Sequence, residues 1–572
     1  MEPYKLLIDG MIIVVYFLTI TAIGIYMGRR ERSLHDYALG GRKMPWWAVM
    51  ASIIAAETSA ATFLTVPSEG FSSRGILYAQ LTIGLILGRV LVGFIFLKPY
   101  YVYKVYTVYD FLAVRFGKKS KNYVSILFVI FRTLAMGVRV YVPALVMVLA
   151  WRMIVQGQEV KDMATGDSWV PYGVAIGALT AITCVYTLIG GIKAVIWTDL
   201  VQATLMFSSA IVAIGSIALH LGDGNILRGF AVLGERVPEM KTLEGYIKWG
   251  WEDTVVEGGF VATAWSFVKT VLASPYTIIS ALIPTAIANM AAFGTDQDMV
   301  QRMLTASDYK RSRRSLVTAA VMDIPIFVAF SLIGVLLIAY FEQNPGLKPE
   351  KPNDVFGVYI MNVMPVVVRG FVLAGLFATA MGSLSAALNA LATSVTNDWY
   401  LPYFAKHRDE RHHIFAARVF TGVFAILMTV IATLTAYMNV VHPEQRLIPI
   451  ALGVAGLFAG PMLGVFLIGM LTVRRGSDGG NMLAVTLGLA GVFLLSGQHI
   501  EFLNAFFPRE GNPWSMPAGM PKIAFTWYAL VGAVITFGTG MLFATPEAMV
   551  EHAAHRREEA HTQGDKPLAL RS

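Results

Sequence analysis

The chain has 572 residues, of which 56% are hydrophobic and only 14% charged, and its mean hydropathy is +0.60. Soluble proteins carry nearer a quarter charged residues, so this composition calls for an apolar solvent. The net charge of +8 does not point to nucleic acid, because the basic residues sit in short clusters between apolar stretches, and a single cysteine, Cys184, excludes an intramolecular disulfide or a cysteine-rich metal site.

A hydrocarbon core about 30 Å thick needs roughly 20 apolar residues of helix to cross it. The sequence offers about thirteen such stretches. They lie near 7–28, 46–66, 76–97, 123–151, 170–190, 194–220, 272–293, 316–341, 366–396, 414–438, 446–473, 481–497 and 524–545. The first does not read as a signal peptide: no basic segment precedes it, and Arg29, Arg30 and Arg32 follow it. An odd number of crossings puts the termini on opposite sides. Alternate loops carry Arg29, Arg30, Arg32, Arg42 and Lys43, then Lys98, Lys104, Arg115, Lys118, Lys119 and Lys121, and continue with Arg302, Lys310, Arg311, Arg313 and Arg314, then Lys406, Arg408 and Arg411, then Arg474 and Arg475. The other set is sparse, with Arg74, then Arg152 and Lys161, then Lys348 and Lys351, then Arg446. The positive-inside rule therefore expects the N-terminus outside and the C-terminus in the cytoplasm of a bacterial-type inner membrane. On that reading residues 1–545 form one transmembrane domain. Residues 221–266, with seven acids against four bases, form an extracellular loop, and 546–572 form a cytoplasmic tail, a helix that frays into disorder. The absence of a Walker motif excludes a self-contained ATP-driven pump.

Polar groups inside lipid are costly and mark candidate sites. In the second span, Glu57 lies among Thr58, Ser59 and Thr62 and the small residues Ala55, Ala56, Ala60 and Ala61. This composition suits a broken helix whose carbonyls hold a cation; a small-residue packing face, with Glu57 paired to an arginine, is the alternative. In the ninth span, Thr379, Gly382, Ala386 and Asn389 share a face bordered by Ser383 and Ser385. Such a face offers oxygens to a hard cation such as sodium, or simply packs. Arg132 and Arg139, seven residues apart in the fourth span, share a face and suit either an anionic solute group or a counter-ion for Glu57 or Asp323. Asp323 precedes Ile324-Pro325 in the eighth span, where the proline frees carbonyls and the acid faces a cavity or stays buried and protonated.

From about residue 15 to residue 475 the chain resembles the sodium:solute symporter family, which includes sodium/glucose, proline, sialic acid and iodide carriers. The most specific stretches are Gly190-Gly191-Ile192-Lys193-Ala194-Val195-Ile196-Trp197-Thr198-Asp199 with Gln202, and Thr295-Asp296-Gln297-Asp298-Met299-Val300-Gln301-Arg302. Val66-Pro67-Ser68-Glu69 and the stretch from Leu384 to Tyr400 add to them. The resemblance implies an all-α, leucine-transporter-like fold with two inverted five-helix repeats, about 46–220 and 272–473, the first helix of each being broken at mid-membrane. It implies a sodium site at Ala55, Thr58, Thr379, Gly382 and Ser383, with Gly382 lacking the hydroxyl that the family usually has there. A second cation would use Asp199 and Ser385, although Ala386 replaces a serine ligand. For the solute it implies Ser59, Thr62, Gln80 and Asn289, with Phe293 as the ring nearest the aromatic gate position. Asp323 stands where the galactose carrier has a lysine, and Glu57 and Arg139 complete the expected solute contacts.

The resulting expectation is sodium-coupled symport of a small polar solute (a sugar, polyol, amino sugar or related metabolite) by alternating access. Sodium is the coupling ion and no organic cofactor is expected; membrane lipid is the surrounding partner, and neither nucleic acid nor an obligate protein partner is indicated. Proton-coupled or sodium-independent transport and a transporter-like sensor are the alternatives. The tail of about 27 residues is short for a kinase domain. An enzyme is disfavoured because no nucleophile–base set or metal cluster is visible, and a channel because the acids are scattered singly rather than in rings.

Overall fold

In an apolar surround the backbone must satisfy its own hydrogen bonds, which helices do within one segment. Consistently, the computed structural model is helical, with two isolated β-bridges and no strand among the described residues, which are 3–29, 33–156, 168–250, 259–441, 457–507, 509, 513–517 and 523–562. The principal helices are α1 (Pro3–Gly28), α2 (Trp46–Glu57), α3 (Ala60–Ser73), α4 (Thr82–Ile95), α5 (Lys118–Gln156), α6 (Val170–Leu221), α7 (Gly259–Ala273), α8 (Ile278–Leu282) and α9 (Pro284–Gly294). They continue with α10 (Gln297–Leu304), α11 (Tyr309–Gln343), α12 (Val368–Ser394), α13 (Glu410–Val441), α14 (Ala459–Leu471), α15 (Asp478–Leu495), α16 (Tyr528–Met541) and α17 (Glu547–Thr562).

Within the described residues the expected spans fall on helix, with instructive differences. The spans 170–190 and 194–220 are the two parts of α6, whose 52 residues would run about 78 Å if straight, well over twice the bilayer core. Gly191 divides them with φ 50° and ψ −152°, a conformation that L side chains avoid. A Cβ there would meet the Tyr37 carbonyl at 2.6 Å, so the glycine also permits a close backbone approach. The span 446–473 is described only from residue 457, where α14 covers Ala459–Leu471; residues 442–456 lie outside the described residues. The 221–266 loop is shorter than expected, since α7 already starts at Gly259, and it contains a helix at Ile226–Arg236. The tail is helical to Thr562; the expected disorder at 563–572 lies outside the described residues.

Two breaks position the site. The α2–α3 pair bends by 69° and the α7 to α8–α9 pair by 55°. In the first, Thr58 and Ser59 are extended and the Ser59 side chain caps α3 by accepting from Thr62 N. In the second, Pro275 lies in the break, and Thr277 caps α8 by accepting from Ser280 N at 3.1 Å. Both helices therefore stop and restart on a hydroxyl N-cap. They are the first helices of the two expected repeats.

Helix α12 runs through the centre, buried along almost its whole length against α6, α5, α2 and α13. Its start is pinned to α1: Asp9 accepts from Val367 N (2.8 Å), Gly370 N (3.1 Å) and Arg369 Nε (2.7 Å). Val367 holds a positive φ of 72° at this point, a strained conformation for a β-branched residue.

Candidate functional site

The end of α2 exposes carbonyls because the chain leaves the helix at Thr58. Thr58 N still reaches Ile54 O (3.2 Å), but the carbonyls of Ala55 and the two residues after it lose their helical donors. The α12 face lies against this break. A Cβ placed on Gly382 would sit 3.1 Å from the Ala55 carbonyl and 3.0 Å from Gln202 Oε1, so Gly382 is what lets the two helices meet this closely. On the same helix the Thr379 hydroxyl donates to Leu376 O (2.7 Å), Ser383 to Thr379 O (3.0 Å) and Ser385 to Gly382 O (3.1 Å). Donating backward leaves each hydroxyl oxygen with lone pairs available. Ala55, Thr58, Thr379, Gly382 and Ser383 are all buried, and the Ala55 carbonyl and Gly382 are brought together directly.

Asp199 sits on α6 with a different set of partners. Its Oδ2 accepts from Ser52 Oγ (2.5 Å) and Arg302 Nη2 (3.2 Å), while Ser52 Oγ accepts from Arg302 Nε (2.9 Å). Arg302 also binds Asp298 Oδ1 (2.7 Å). The Thr295–Arg302 stretch thus ties α2, α6 and α10 together. Arg132 of α5 extends the network by pairing with Asp296 (3.3 Å) and with Asp298. Arg139, one face along α5, carries no ion pair to Glu57 or Asp323 among the described residues.

The counter-ion of both intramembrane acids is Arg89 on α4, which the sequence reading passed over. Its Nη2 binds Glu57 and lies 2.7 Å from Asp323 Oδ2, and its guanidinium stands 4.1 Å over the Phe293 ring. The Arg89 side chain is 0% exposed, Asp323 3% and Glu57 19%, so Glu57 is the open edge of the triad. A lone arginine in the middle of the 76–97 span was the available signal, since an intramembrane cation requires a partner. Gly84 and Gly88, one turn apart and just before it, are the second: a Cβ on Gly88 would lie 2.7 Å from Asn289 Cβ, so α4 and α9 touch backbone to backbone.

The other expected solute residues divide. Asn289 donates to Thr285 O (3.2 Å) and lies one helical turn before Phe293, on the same side as the triad. Ser59 and Thr62 hydroxyls are 3.2 Å apart at the α3 cap. Gln80 is turned to the connecting segments instead: its Nε2 donates to Tyr276 O (2.9 Å) and its Oε1 accepts from Lys248 N (3.3 Å). Both ends of its amide therefore hold backbone beside the α7–α8 break. At the other end of the bundle, Lys121 is buried between Asp110 (2.6 Å) and Asp398 (3.1 Å), joining the start of α5 to the turn after α12. A cavity of about 570 Å³ lies at the far end of α3 from the break, lined by Phe71, Arg74, Phe341, Glu342 and Lys348.

The sodium:solute symporter family model matches residues 37–488. The chain is 26% identical to the sodium/sialic acid symporter SiaT of Proteus mirabilis (strain HI4320), covering 86% of this chain and 90% of that one. It is 28% identical to the sodium/sialic acid symporter NanT of Aliivibrio fischeri (86% and 88% covered) and 25% identical to the sodium/glucose cotransporter of Vibrio parahaemolyticus (82% of each). Among solved structures, a sodium-coupled sialic acid symporter in a substrate-bound outward-open state matches with a TM-score of 0.70 at 24% identity, over 94% of this chain and 96% of that one. The fold is thus of the leucine-transporter type, in which the two broken helices open the two repeats.

Proposed function

The chain belongs to the sodium:solute symporter family, and from that premise we propose that it imports a small polar organic solute, sugar-like in size and polarity, on the sodium gradient. The protein is a multi-pass membrane transporter; the finer assignments that follow rest on its own residues. Sodium binds where the carbonyls freed at the end of α2 meet the α12 face, using Ala55, Thr58, Thr379, Gly382 and Ser383. The observation that carries this is the approach of the Ala55 carbonyl to Gly382 beside two hydroxyls with free lone pairs. A site of carbonyls and hydroxyls suits a hard monovalent cation, and it bridges the two elements that alternating access must move. One sodium suffices for this mechanism. At the possible second site of Asp199 and Ser385, Arg302 already pairs with Asp199.

The solute region on this reading is bounded by the α2–α3 break, α4, α9 and α11 and uses Ser59, Thr62 and Asn289 beside Glu57, Asp323 and Phe293, which contact Arg89. Relatives are named for sialic acid and glucose, which fits a polyhydroxylated solute. Residues 221–258 lie outside and the C-terminal helix α17 in the cytoplasm, following the distribution of basic residues. Coupling requires that sodium bind the outward-open state more tightly than the inward-open one, since only differential affinity shifts the equilibrium. The test is uptake into proteoliposomes under an inward sodium gradient, with a thermal-shift panel of sugars, polyols, amino sugars and amino acids in sodium and in potassium. Stabilisation by a solute only in sodium supports the proposal; equal stabilisation in both salts refutes sodium coupling.

A further inference from the structure

The Glu57–Arg89–Asp323 cluster does not balance. Two carboxylates share a single guanidinium nitrogen, and no other ion pair to either acid occurs among the described residues. With both acids ionised the cluster carries one negative charge in excess, at a site where Arg89 and Asp323 are shut from solvent. Burying an uncompensated carboxylate is expensive, so the excess is removed either by a proton on Asp323, which then donates to Glu57, or by a positive charge supplied from outside the fold at the open edge. The open edge is Glu57, the last residue before the α2 break.

Two further observations concern what would supply it. Asn289 is buried, and its Oδ1 has no hydrogen-bond partner among the described residues. It sits on the α9 face that also presents Phe293 to Arg89. Arg89 is likewise buried, with Nε and Nη1 unpartnered among the described residues. The free valences are thus an anionic edge with a neutral acceptor, and a set of guanidinium donors. A group with N–H donors and a positive charge matches the first pair; a neighbouring hydroxyl or ether oxygen matches the second. Sodium is served separately by the Ala55 carbonyl and the α12 hydroxyls, which include no carboxylate.

We propose that the transported solute is an amine, its protonated nitrogen docking between Glu57 and Asn289 while an adjacent oxygen meets Arg89. This rests on the reading of the α2–α3 break, α4 and α9 as the solute site. It separates this chain from carriers of neutral sugars by charge rather than by size.

The experiment is a thermal-shift titration of the purified full chain in sodium buffer at neutral pH with matched pairs. The amines are glucosamine, galactosamine, mannosamine and ethanolamine; the neutral partners are glucose, galactose, mannose and ethylene glycol. The expected result is stabilisation by at least one amine and not by its neutral partner. Glu57→Gln should weaken that binding by roughly 10–100-fold, the range for losing a charge-assisted hydrogen bond. Should Glu57→Gln fail to fold, Asn289→Ala removes the neutral acceptor and should weaken that binding about fivefold. Stabilisation by neutral members at equal or higher affinity overturns the amine assignment while leaving sodium-coupled transport standing. Stabilisation by none of the amines also overturns it. Amine binding that is identical in sodium and potassium keeps the docking site and refutes the coupling ion instead.

Discussion

Arg89→Met is the most informative single perturbation, because one side chain neutralises two acids on two other helices. The substitution keeps a long apolar stem but leaves Glu57 and Asp323 facing each other without a cation. Removing one partner of a buried pair costs about 3–5 kcal/mol, because the charge left behind stays desolvated. Loss of the guanidinium from the Phe293 face adds about 1 kcal/mol. The expected penalty of about 4–6 kcal/mol would be among the largest for any single change in this chain. A chain of this size does not unfold in two states, so the readout is the order of apparent Tm values in detergent rather than one free energy. The charge-free triple variant Arg89→Met/Glu57→Gln/Asp323→Asn should regain most of the lost Tm, since a neutral cluster needs no counter-ion, yet should transport nothing. A triple variant no more stable than Arg89→Met, or an Arg89→Met protein with wild-type Tm, would refute the electrostatic account of this site.

Ser383→Ala should raise the sodium concentration for half-maximal uptake about fivefold, one hydroxyl ligand being worth about 1 kcal/mol; an unchanged sodium dependence removes Ser383 from the site. Gly382→Ala puts a Cβ at 3.1 Å from the Ala55 carbonyl and should also weaken sodium binding, read as a smaller thermal shift on adding sodium. Asp9→Ala strands buried Arg369 and removes the anchor of the strained Val367. The cost is that of a broken buried pair, about 3–5 kcal/mol, read as a lower apparent Tm with the sodium dependence of what remains folded unchanged. Gln80→Ala frees the backbone at Tyr276 and Lys248; the expectation is faster proteolysis of the segment before α8, measured by limited digestion, and a loss of stability of about 1–3 kcal/mol.

Much of this protein is determined locally and was therefore legible in the sequence. Apolar stretches of bilayer length become helices because the backbone has no other way to satisfy its polar groups in lipid. Both breaks are local as well: Thr58-Ser59 and Pro275 with Thr277 stop one helix and cap the next, and Gly191 divides α6 with a conformation only glycine adopts readily. The family membership came from contiguous motifs around Gly190–Asp199 and Thr295–Arg302. What only the tertiary structure decided is which polar group meets which. Glu57, Arg89 and Asp323 lie on three helices that their own periodicities leave free to rotate, so the sequence offered Arg132 and Arg139 as equally good counter-ions, and packing chose Arg89. Gly84 and Gly88 show the reason: α4 can approach α9 only where no side chain intervenes, and that contact sets which face of α4 looks inward. Gln80, a polar residue at the start of the same segment, is turned to the connecting backbone instead. Helix formation depends on neighbours a few residues away, whereas a buried charge is matched by groups hundreds of residues apart, and their meeting is fixed by the packing of helix against helix.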